Sequence, residues 1–592
     1  MKSSTDLTTD AVGSQPKGLR SGLTTYGDDG FSLFLRKAFI KGAGFGEDAL
    51  DRPIIGIATA MSDYNPCHGS HPQLVEAIRR GVLLAGGLPL QFPSISIHEA
   101  FASPTSMLLR NLMSMDVEEM IRAQPMDAVV LVGGCDKTVP AQLMGAASAG
   151  RPTIQVVSGS MLTGSHRGER VGACTDCRAF WGRHRAGTLE PGEIEEVNSA
   201  LVGSVGTCAV MGTASTMACV AEALGIALPR SASPPAVTAD RMRIGEESGR
   251  AAVRLAHSRT TVREIITGES VENAMRTILA IGGSTNAVIH LTAIAGRLGI
   301  QVSMLDLERW ASTTPVLVDL KPAGQGYMED FHRAGGLGQV LLQISDLLHL
   351  EVPTVSGRTL GEELERLAPS SRSTVVRSRE NGLRDRSGLV VLRGNLAPRG
   401  AIIKQVAASE RLLQATGRVV LFEGVADLAT RIDDPQLDVR ADDILVLRGA
   451  GPVGAPGMPE AGYIPIPKRL AQQGVTDMIR ISDARMSGTA AGTIVLHITP
   501  ESSVGGPLAL VQDGDLITLD VPAGRLTLNV DDAELERRAS EFVLPERTQP
   551  ARGYARLFVD QVTQADEGCD FAFLRHESLQ RSPRSIGDLP SR

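Results

Sequence analysis

Leu131-Val-Gly-Gly-Cys-Asp-Lys-Thr-Val-Pro140 carries the clearest structural signal in this chain. It continues an apolar run over residues 126–130, which is short enough to be a buried parallel strand. Two glycines end the run, and residues 139–148 have the pattern of a helix with Pro140 in its first turn. The stretch therefore predicts a strand, a short loop and a helix in direct succession.

Cys135, Asp136 and Lys137 lie in this predicted loop. In an open α/β sheet, ligands usually bind at the loops that follow the carboxyl ends of the strands. A thiolate suits iron or zinc, and a carboxylate suits magnesium or calcium. A tight turn with a small buried cysteine would explain the same residues without a ligand. The loop taken alone leaves both interpretations open.

Length and composition indicate a soluble enzyme of two or three domains. The chain has 592 residues, of which 42% are hydrophobic and 21% charged. Aromatic residues make up 3%, the net charge is −8 and no block of Lys or Arg stands out, so we expect no nucleic-acid partner. The N-terminus lacks a signal-peptide core, and no apolar run reaches the ~18 residues of a membrane helix. We therefore expect a cytoplasmic protein with no membrane partner, whose seven cysteines are not a disulfide framework.

Strands, loops and helices alternate through the first part of the chain. This alternation predicts a doubly wound, mostly parallel α/β domain over residues 1–380, with a charged domain junction at 358–385. Besides the strand described above, strands are predicted at 52–59, 88–97 and 152–158. Helices are predicted at 72–85, 104–122, 239–257, 271–281, 286–298 and 340–348.

The rest of the chain predicts a β-rich, barrel-like C-terminal domain over residues 381–592. Short apolar stretches between turn residues predict strands at 388–393, 418–423, 443–448, 477–482, 493–498, 515–520 and 525–530. The polar ends of the chain, before about residue 30 and from about residue 578, are expected to be loosely held. The predicted fold class is thus α/β with a second, barrel-like domain.

Cys67, Cys135 and Cys208 share one kind of context, a loop just after a predicted strand or just before a helix. Three thiolates at one sheet edge could hold an iron–sulfur cluster with one iron left open as a Lewis acid. Cys174 and Cys177 form a CxxC pair, which alone suggests zinc or redox chemistry. No second CxxC or histidine pair with zinc spacing follows, so we interpret this pair as structural.

Two further motifs lie in predicted loops of the C-terminal part of the chain. Gly449-Ala-Gly-Pro-Val-Gly454 matches a dinucleotide-binding pattern, but the prolines that follow prevent the helix it requires, so we predict a loop that presents Glu460. Ser487 lies in a turn rich in Ser and Thr that would ordinarily cap a helix. No histidine in that loop supports a Ser–His pairing. A serine could still act as a base if a metal or dipoles lowered its pKa.

Taken together, the motifs resemble the dehydratase family that contains dihydroxy-acid, 6-phosphogluconate and aldonic-acid dehydratases. No single motif is decisive, but the ordered set is specific and covers roughly residues 50 to 535. The matching stretches are Asn65-Pro-Cys-His68, Gly133-Gly-Cys-Asp-Lys-Thr138, Gly206-Thr-Cys-Ala-Val-Met-Gly-Thr-Ala-Ser-Thr-Met217, Gly282-Gly-Ser-Thr-Asn-Ala287, His332-Arg-Ala-Gly-Gly336, Gly394-Asn-Leu-Ala-Pro398, Gly449-Ala-Gly-Pro-Val-Gly454 and Asp483-Ala-Arg-Met-Ser-Gly-Thr489.

The resemblance implies an α/β domain and a barrel-like domain with the site between them, in a homodimer or homotetramer. It also implies that Cys67, Cys135 and Cys208 ligate a [2Fe-2S] cluster, or a [4Fe-4S] cluster as in some members. The partner would be a small hydroxy-acid substrate.

The resemblance further implies a Mg²⁺ ion surrounded by Glu99, Asp136, Lys137 and Glu460. Lys137 would be carbamylated, because an ammonium cannot bind a cation. Ser487, as an alkoxide, would remove the C2 proton of a 2,3-dihydroxy acid. Mg²⁺ and the open iron would assist the loss of the C3 hydroxyl as water, giving a 2-keto-3-deoxy acid.

The branch of the family is indicated by a few positions. Glu99 and the stretch 206–212 resemble the sugar-acid branch, whereas 282–290 and Ala484-Arg-Met-Ser-Gly488 are closer to the branched-chain pattern. We predict a sugar-acid dehydratase, such as one acting on an aldonate. The alternative within the family is dihydroxy-acid dehydratase, which acts on 2,3-dihydroxyisovalerate.

His98, Ser158 and Thr489 are predicted to contact the substrate, although each could equally be a loop hydrogen bond. Two other classes of protein compete with the dehydratase. One is a thiol or disulfide oxidoreductase that uses Cys174 and Cys177. The other is a non-catalytic iron–sulfur regulatory protein.

Overall fold

The computed structural model describes residues 15–23, 26–368, 373–544 and 550–580. Its strands are β1 Ile54–Thr59, β2 Leu88–Pro93, β3 Ala128–Gly133, β4 Thr153–Val157, β5 Gly164–His166, β6 Glu169–Val171, β7 Leu389–Gly394, β8 Ala397–Lys404, β9 Gln414–Glu423, β10 Ile444–Arg448, β11 Arg480–Ser482, β12 Ile494–Thr499, β13 Leu516–Asp520 and β14 Arg525–Leu528. Its α-helices are α1 Asp29–Gly42, α2 His71–Leu84, α3 Ser106–Ala123, α4 Thr138–Ala149, α5 Thr175–Ala186, α6 Glu193–Ala200, α7 Thr213–Ala223, α8 Ala239–Ser258, α9 Val262–Ile265, α10 Gly268–Ala280, α11 Thr285–Arg297, α12 Met304–Thr313, α13 Met328–Arg333, α14 Leu337–Gln343, α15 Leu360–Glu365, α16 Gly424–Arg431, α17 Lys468–Gln472, α18 Asp532–Glu541 and α19 Gly553–Gln561. Of the two polar ends, residues 1–14 and 581–592 lie outside the described residues.

Strands β1 to β4 form a parallel sheet in the order β2-β1-β3-β4. β1 and β3 are buried along their whole length, as expected for parallel strands with helices on both faces. With this strand order, the right-handed crossovers usual between parallel strands put α2 on one face and α3 and α4 on the other. α2 packs against α8, and α3 packs against α4. The predicted doubly wound α/β domain is confirmed.

The order of the strands reverses direction between β1 and β3, which pair directly in parallel. At such a switch point the loops that leave the two strands turn to opposite faces and open a crevice between them. Cys67 follows β1 and Cys135 follows β3. The topology therefore brings these two cysteines to one crevice although they are distant in sequence.

Strands β7 to β14 close into a barrel in the order β10-β11-β12-β8-β7-β14-β13-β9. β10 pairs in parallel with β9 and β11, and β11 pairs in parallel with β12. The loops after β10 and β11 therefore leave the barrel at the same rim. Glu460 lies in the first loop, and Arg485 and Ser487 lie in the second. The predicted barrel-like domain is confirmed.

A few predicted elements differ from the structure in their bounds. The predicted strand at 88–97 ends at Pro93, and the predicted helix at 340–348 is α14 followed by a turn. β8 is missing from the predicted strands because Pro398 and Gly400 interrupt its apolar pattern. The glycine-rich stretch before Glu460 forms a loop rather than a helix, as predicted.

Residues 550–580 leave the barrel and pack on the α/β domain. The Tyr554 hydroxyl donates to the carbonyl of Leu108 at 2.7 Å. Arg297, buried in α11, pairs with the buried Asp570 at 2.5 Å. The predicted domain boundary between residues 380 and 381 stays a prediction. In the described part of the chain, no helix is long and apolar enough to cross a membrane.

Lys404, at the end of β8, is buried, and its ammonium has no hydrogen-bond partner among the described residues. Burial lowers the pKa of Lys404 to about 7. A lysine whose pKa is lower in the folded than in the unfolded state destabilises the fold below pH 7, and this penalty disappears as the pH rises toward 10.5. We expect Lys404→Met to raise the free energy of unfolding at pH 7 by up to about 4 kcal/mol.

Urea denaturation of the wild type and of Lys404→Met, repeated at several pH values from 6 to 10, measures this difference. The advantage of the variant should shrink steadily as the pH rises. Lys468→Met, at an exposed lysine of the same domain, is the control and should change stability little. A wild type more stable than Lys404→Met at pH 7 would contradict the prediction.

Candidate active site

Cys67 and Cys135 meet at the crevice between β1 and β3, with His98 beside them. Cys67 lies on a short 3-10 turn, Pro66–His68, after β1. One ligand atom of each of the three residues lies within 4.8 Å of the other two. Two thiols and an imidazole at this spacing could hold a metal ion.

His68 fixes the loop that carries Cys135. Its Nδ1 donates to the carbonyl of Ala60 at 2.7 Å, which leaves Nε2 as an acceptor. Nε2 accepts from the backbone N–H groups of Gly134 at 3.1 Å and Cys135 at 3.3 Å. Burial lowers the pKa of His68 to about 4, so the ring is neutral at pH 7. The histidine of the Asn65-Pro-Cys-His68 stretch therefore positions the second cysteine.

Cys208 is held near this crevice by a segment fixed beside the chain that follows β4. The backbone N–H of Thr207 donates to the carbonyl of Gly159 at 2.9 Å, and its carbonyl accepts from Met161 at 2.8 Å. These two bonds pair Thr207, the residue before Cys208, with residues 159–161 as in a parallel sheet. The loops after β1 and β3 and this segment thus supply the three cysteines that the sequence singled out.

The CxxC pair lies beside Cys208. Cys174 lies just before α5, with its Sγ 3.5 Å from the Sγ of Cys208, and Cys177 forms a hydrogen bond with Cys174 and also packs with Val171 and Val197. A structural role alone therefore does not describe Cys174, which we group with Cys67, Cys135 and Cys208 as the thiol cluster. The CxxC spacing does not predict the contact between Cys174 and Cys208. That contact depends on the position of α5, whose mostly polar residues give no clear apolar periodicity.

Neighbouring thiols raise the pKa of Cys67 and of Cys208, whereas hydrogen bonds with Cys177 and Cys208 lower the pKa of Cys174. The pKa of Cys67 lies well above its usual value because of a hydrogen bond with Cys135, burial and nearby negative charge. The pKa of Cys208 is raised by a hydrogen bond with Cys174, by burial and by Asp136. Thiols packed this closely need a cation in order to ionise together, and a soft metal would supply it. The donor set therefore fits an iron–sulfur group.

Glu99, Asp136, Lys137 and Glu460 form an acidic centre that adjoins the thiol cluster. The Nζ of Lys137 is fully buried, 3.8 Å from the carboxylate of Glu99 and 3.7 Å from that of Asp136. It makes no hydrogen bond with any described residue. A buried ammonium without a hydrogen bond is costly. A carbamylated Lys137 would instead offer oxygen, and the four side chains would then fit Mg²⁺.

Arg485 links the two glutamates of the acidic centre, and it was not among the predicted site residues. Its fully buried guanidinium donates to Glu460 at 2.7 Å, to Glu99 at 3.2 Å and to the Thr105 hydroxyl at 2.7 Å. Burial opposes ionisation of Glu99, but Arg485 and Lys137 outweigh burial and hold the pKa of Glu99 well below its usual range. Glu460 is less exposed, and burial raises its pKa despite the same Arg485.

Ser487 lies in the loop after β11, at the same rim of the barrel as Glu460. Its side chain is 8% exposed, and its Oγ lies 2.9 Å from the hydroxyl of Thr489. The side-chain amide of Asn286 donates to the carbonyl of Met486 at 2.9 Å. The motif over residues 282–287 therefore holds the serine loop of the other domain in place.

Gly488 allows this loop to approach the α/β domain closely. A Cβ added at Gly488 would lie 2.6 Å from the Oγ of Ser284 and 2.7 Å from the backbone nitrogen of Thr213. Thr175, at the start of α5, donates to the carbonyl of Thr489 at 3.0 Å. The serine loop is thus packed against the elements that carry the thiol cluster.

The three predicted substrate contacts have different surroundings. His98 lies at the thiol cluster, and Thr489 lies beside Ser487. Ser158 is fully buried, with its hydroxyl 2.8 Å from the Nε2 of His71. The structure therefore gives Ser158 a supporting contact inside the α/β domain, and substrate contact by any of the three stays a prediction.

Comparison with known proteins defines the class of this protein as a dehydratase, which is a hydro-lyase. The chain belongs to the dihydroxy-acid/6-phosphogluconate dehydratase family. Residues 52–363 match the N-terminal domain of the family, and residues 374–569 match its C-terminal domain. The resemblance found in the motifs is thereby confirmed.

Several relatives align over nearly their whole length. The L-arabinonate dehydratase of Rhizobium leguminosarum bv. trifolii (strain WSM2304) is 46% identical over 563 residues, 95% of this chain and 97% of the relative. The 6-deoxy-6-sulfo-D-gluconate dehydratase of Pseudomonas putida is 44% identical, over 89% of this chain and 92% of the relative. The dihydroxy-acid dehydratase of Methanococcoides burtonii (strain DSM 6242) is 34% identical, over 90% and 97%. The chain is therefore more similar to these two sugar-acid dehydratases than to this dihydroxy-acid dehydratase.

Replacing His68 tests its role in holding the Cys135 loop. His68→Phe would leave two buried N–H groups without an acceptor, each at a cost of about 1–3 kcal/mol. We expect the variant to lose about 2–6 kcal/mol of unfolding free energy at pH 7, measured by urea denaturation of metal-free protein. The wild type should also lose stability as the pH falls from 6.5 toward 4, because the pKa of His68 is lower in the folded state. The variant should lack this contribution.

His184→Phe, at an exposed histidine on α5, is the matched control and should change the unfolding free energy by less than about 0.5 kcal/mol. Equal stabilities of His68→Phe and His184→Phe would mean that His68 does not hold the loop.

Proposed function

We propose that this dehydratase acts on a sugar acid, converting its 2,3-dihydroxy carboxylate into a 2-keto-3-deoxy acid. The observation that carries the proposal is the loop Cys135-Asp136-Lys137, which joins the thiol cluster to the acidic centre. Ser487 stands on a barrel loop packed against the same elements. A candidate base, a group of thiols and a group of carboxylates therefore lie close together. The names of the sugar-acid relatives support the substrate class.

The cofactors are proposed from the chemistry of the donors. The cysteines that would hold a [2Fe-2S] or [4Fe-4S] cluster are Cys67, Cys135 and Cys208. The residues that would hold Mg²⁺ are Glu99, Asp136, Glu460 and carbamylated Lys137. When bound, these groups supply Lewis acidity toward the substrate's carboxylate and hydroxyl groups.

Ser487 is the residue that we propose as the base, taking the C2 proton onto its Oγ. The Thr489 hydroxyl, 2.9 Å away, can donate a hydrogen bond to a Ser487 alkoxide and so stabilise it. The low exposure of Ser487 limits competition from water. The buried guanidinium of Arg485, two residues earlier, offsets the charge of the two glutamates that would otherwise repel an anionic substrate.

We also propose that the protein forms a homodimer or homotetramer. Phe31 and Phe34 on α1 are 46% and 65% exposed with ring centroids 6.4 Å apart, and neighbouring exposed apolar side chains of this size are typical of interaction surfaces. Light scattering of the purified protein would measure the assembly.

Substrate ranking tests the proposed function. Protein reconstituted anaerobically with iron, sulfide and Mg²⁺ would be assayed for keto-acid formation from L-arabinonate, D-xylonate, D-gluconate and 2,3-dihydroxyisovalerate. We expect turnover of at least one aldonate, with a higher kcat/KM than for 2,3-dihydroxyisovalerate. Turnover of 2,3-dihydroxyisovalerate alone would favour the dihydroxy-acid dehydratase assignment instead.

Replacing the proposed base tests the mechanism. Ser487→Ala should lower kcat by about 10²–10⁴-fold, because a positioned base is lost, while iron content is unchanged. Ser540→Ala, at an exposed serine on α18, is the control and should retain full activity. A Ser487→Ala enzyme with near wild-type kcat would exclude Ser487 as the base.

A further inference from the structure

Cys174 is the one member of the thiol cluster that has no role in the proposed function. Its Sγ lies 3.5 Å from that of Cys208, a proposed cluster ligand. Cys67 and Cys135 form the other close contact in the cluster, with their Sγ atoms within 4.8 Å. The four thiols are therefore arranged as two pairs.

This spacing matches two ligands on one metal. Two thiolates bound to a single tetrahedral metal with bonds of about 2.3 Å are about 3.8 Å apart. The contact between Cys174 and Cys208 is close to that value. Four cysteines, two to each iron, are also the usual ligands of a [2Fe-2S] cluster.

The backbone around Cys174 is held firmly, so the contact is part of the fold. The carbonyl of Ala173 accepts from Ala209 at 2.9 Å, which ties the chain before Cys174 to the chain after Cys208. On the other side, the carboxylate of Asp176 accepts from Lys321 at 2.7 Å and from the Tyr327 hydroxyl at 2.8 Å.

Cys177 provides a natural comparison. It lies one helical turn from Cys174, forms a hydrogen bond with the Cys174 thiol and also packs with Val171 and Val197. Among the described residues, the sulfur contact of 3.5 Å with Cys208 belongs to Cys174. An effect of disturbing α5 or the contacts between these two thiols should therefore appear at both positions, and loss of a ligand only at Cys174.

We propose that Cys174 is a fourth thiolate ligand of the iron–sulfur group while substrate is absent, and that it gives up this position when the hydroxy acid binds. The inference rests on the cluster in the proposed function. The exchange is a ligand substitution in which the Cys174 sulfur leaves as a thiolate and a substrate hydroxyl oxygen takes its place. No electron is transferred, so neither oxidant nor reductant is needed.

The hydrogen bond between Thr175 and the carbonyl of Thr489 couples this exchange to the proposed base. Thr175 follows Cys174 directly, and Thr489 contacts Ser487. A substrate that contacts the loop carrying Ser487 can therefore move the chain next to Cys174. A cluster with Cys174 as its fourth ligand would also be less accessible to oxygen in the substrate-free enzyme.

The test compares wild type, Cys174→Ser, Cys174→Ala, Cys177→Ser and Cys208→Ser after anaerobic reconstitution. Iron, acid-labile sulfide and the visible circular dichroism spectrum are measured with and without L-arabinonate. We expect equal iron and sulfide in all except Cys208→Ser, which should lose them. Cys177→Ser should share the wild-type spectrum, and both Cys174 variants should differ from it. Substrate should shift the wild-type spectrum toward that of the substrate-bound Cys174 variants.

Identical spectra for wild type and both Cys174 variants, at equal iron content, would overturn the inference and leave the proposed function intact. The same spectral change in Cys177→Ser as in Cys174→Ala would also overturn it, because the change would then reflect disturbance of α5. A wild type that binds neither iron nor sulfide would instead overturn the cluster in the proposed function, and this inference with it.

Discussion

Burial of the Arg485 guanidinium is the constraint on which the rest of this structure depends. A fully buried cation must meet carboxylates inside the protein, because leaving it unpaired costs about 3–5 kcal/mol. Glu460 comes from the same barrel, whereas Glu99 comes from the α/β domain. The charge of Arg485 therefore holds the two domains in one relative position, because neither domain alone supplies both of its carboxylate partners.

The same constraint bears on the state of Lys137. With every group ionised, the carboxylates of Glu99, Asp136 and Glu460 are balanced by the cations Lys137, Arg485 and Arg178, the last of which lies 3.8 Å from Glu460. Carbamylation would replace a buried cation by an anion and leave an excess of two negative charges. A divalent cation would then be the natural counter-charge. The Nζ of Lys137, which makes no hydrogen bond with any described residue, and the proposed Mg²⁺ site thus reflect one electrostatic requirement.

Much of the fold could be predicted, because it rests on local signals. The apolar run before Cys135 and the helix with Pro140 in its first turn mark β3 and α4, and the short strands with turn residues mark the barrel. β8 gave no such signal, since Pro398 and Gly400 break its pattern. Within the site, Arg485 stands inside a recognised motif, but its ion pairs depend on how two domains dock. Nothing local in a sequence encodes that contact.

Long-range contacts of this kind also decide what the site can do. Thr175 and Thr489 are 314 residues apart and belong to different domains, yet one hydrogen bond joins them. It joins the loop of the proposed base to the start of α5, beside the thiol cluster. The proposed proton removal at C2 and loss of the C3 hydroxyl would need groups fixed at adjacent atoms of one substrate. The packing of the serine loop against α5 would hold these groups together, so the proposed chemistry would require both domains in contact.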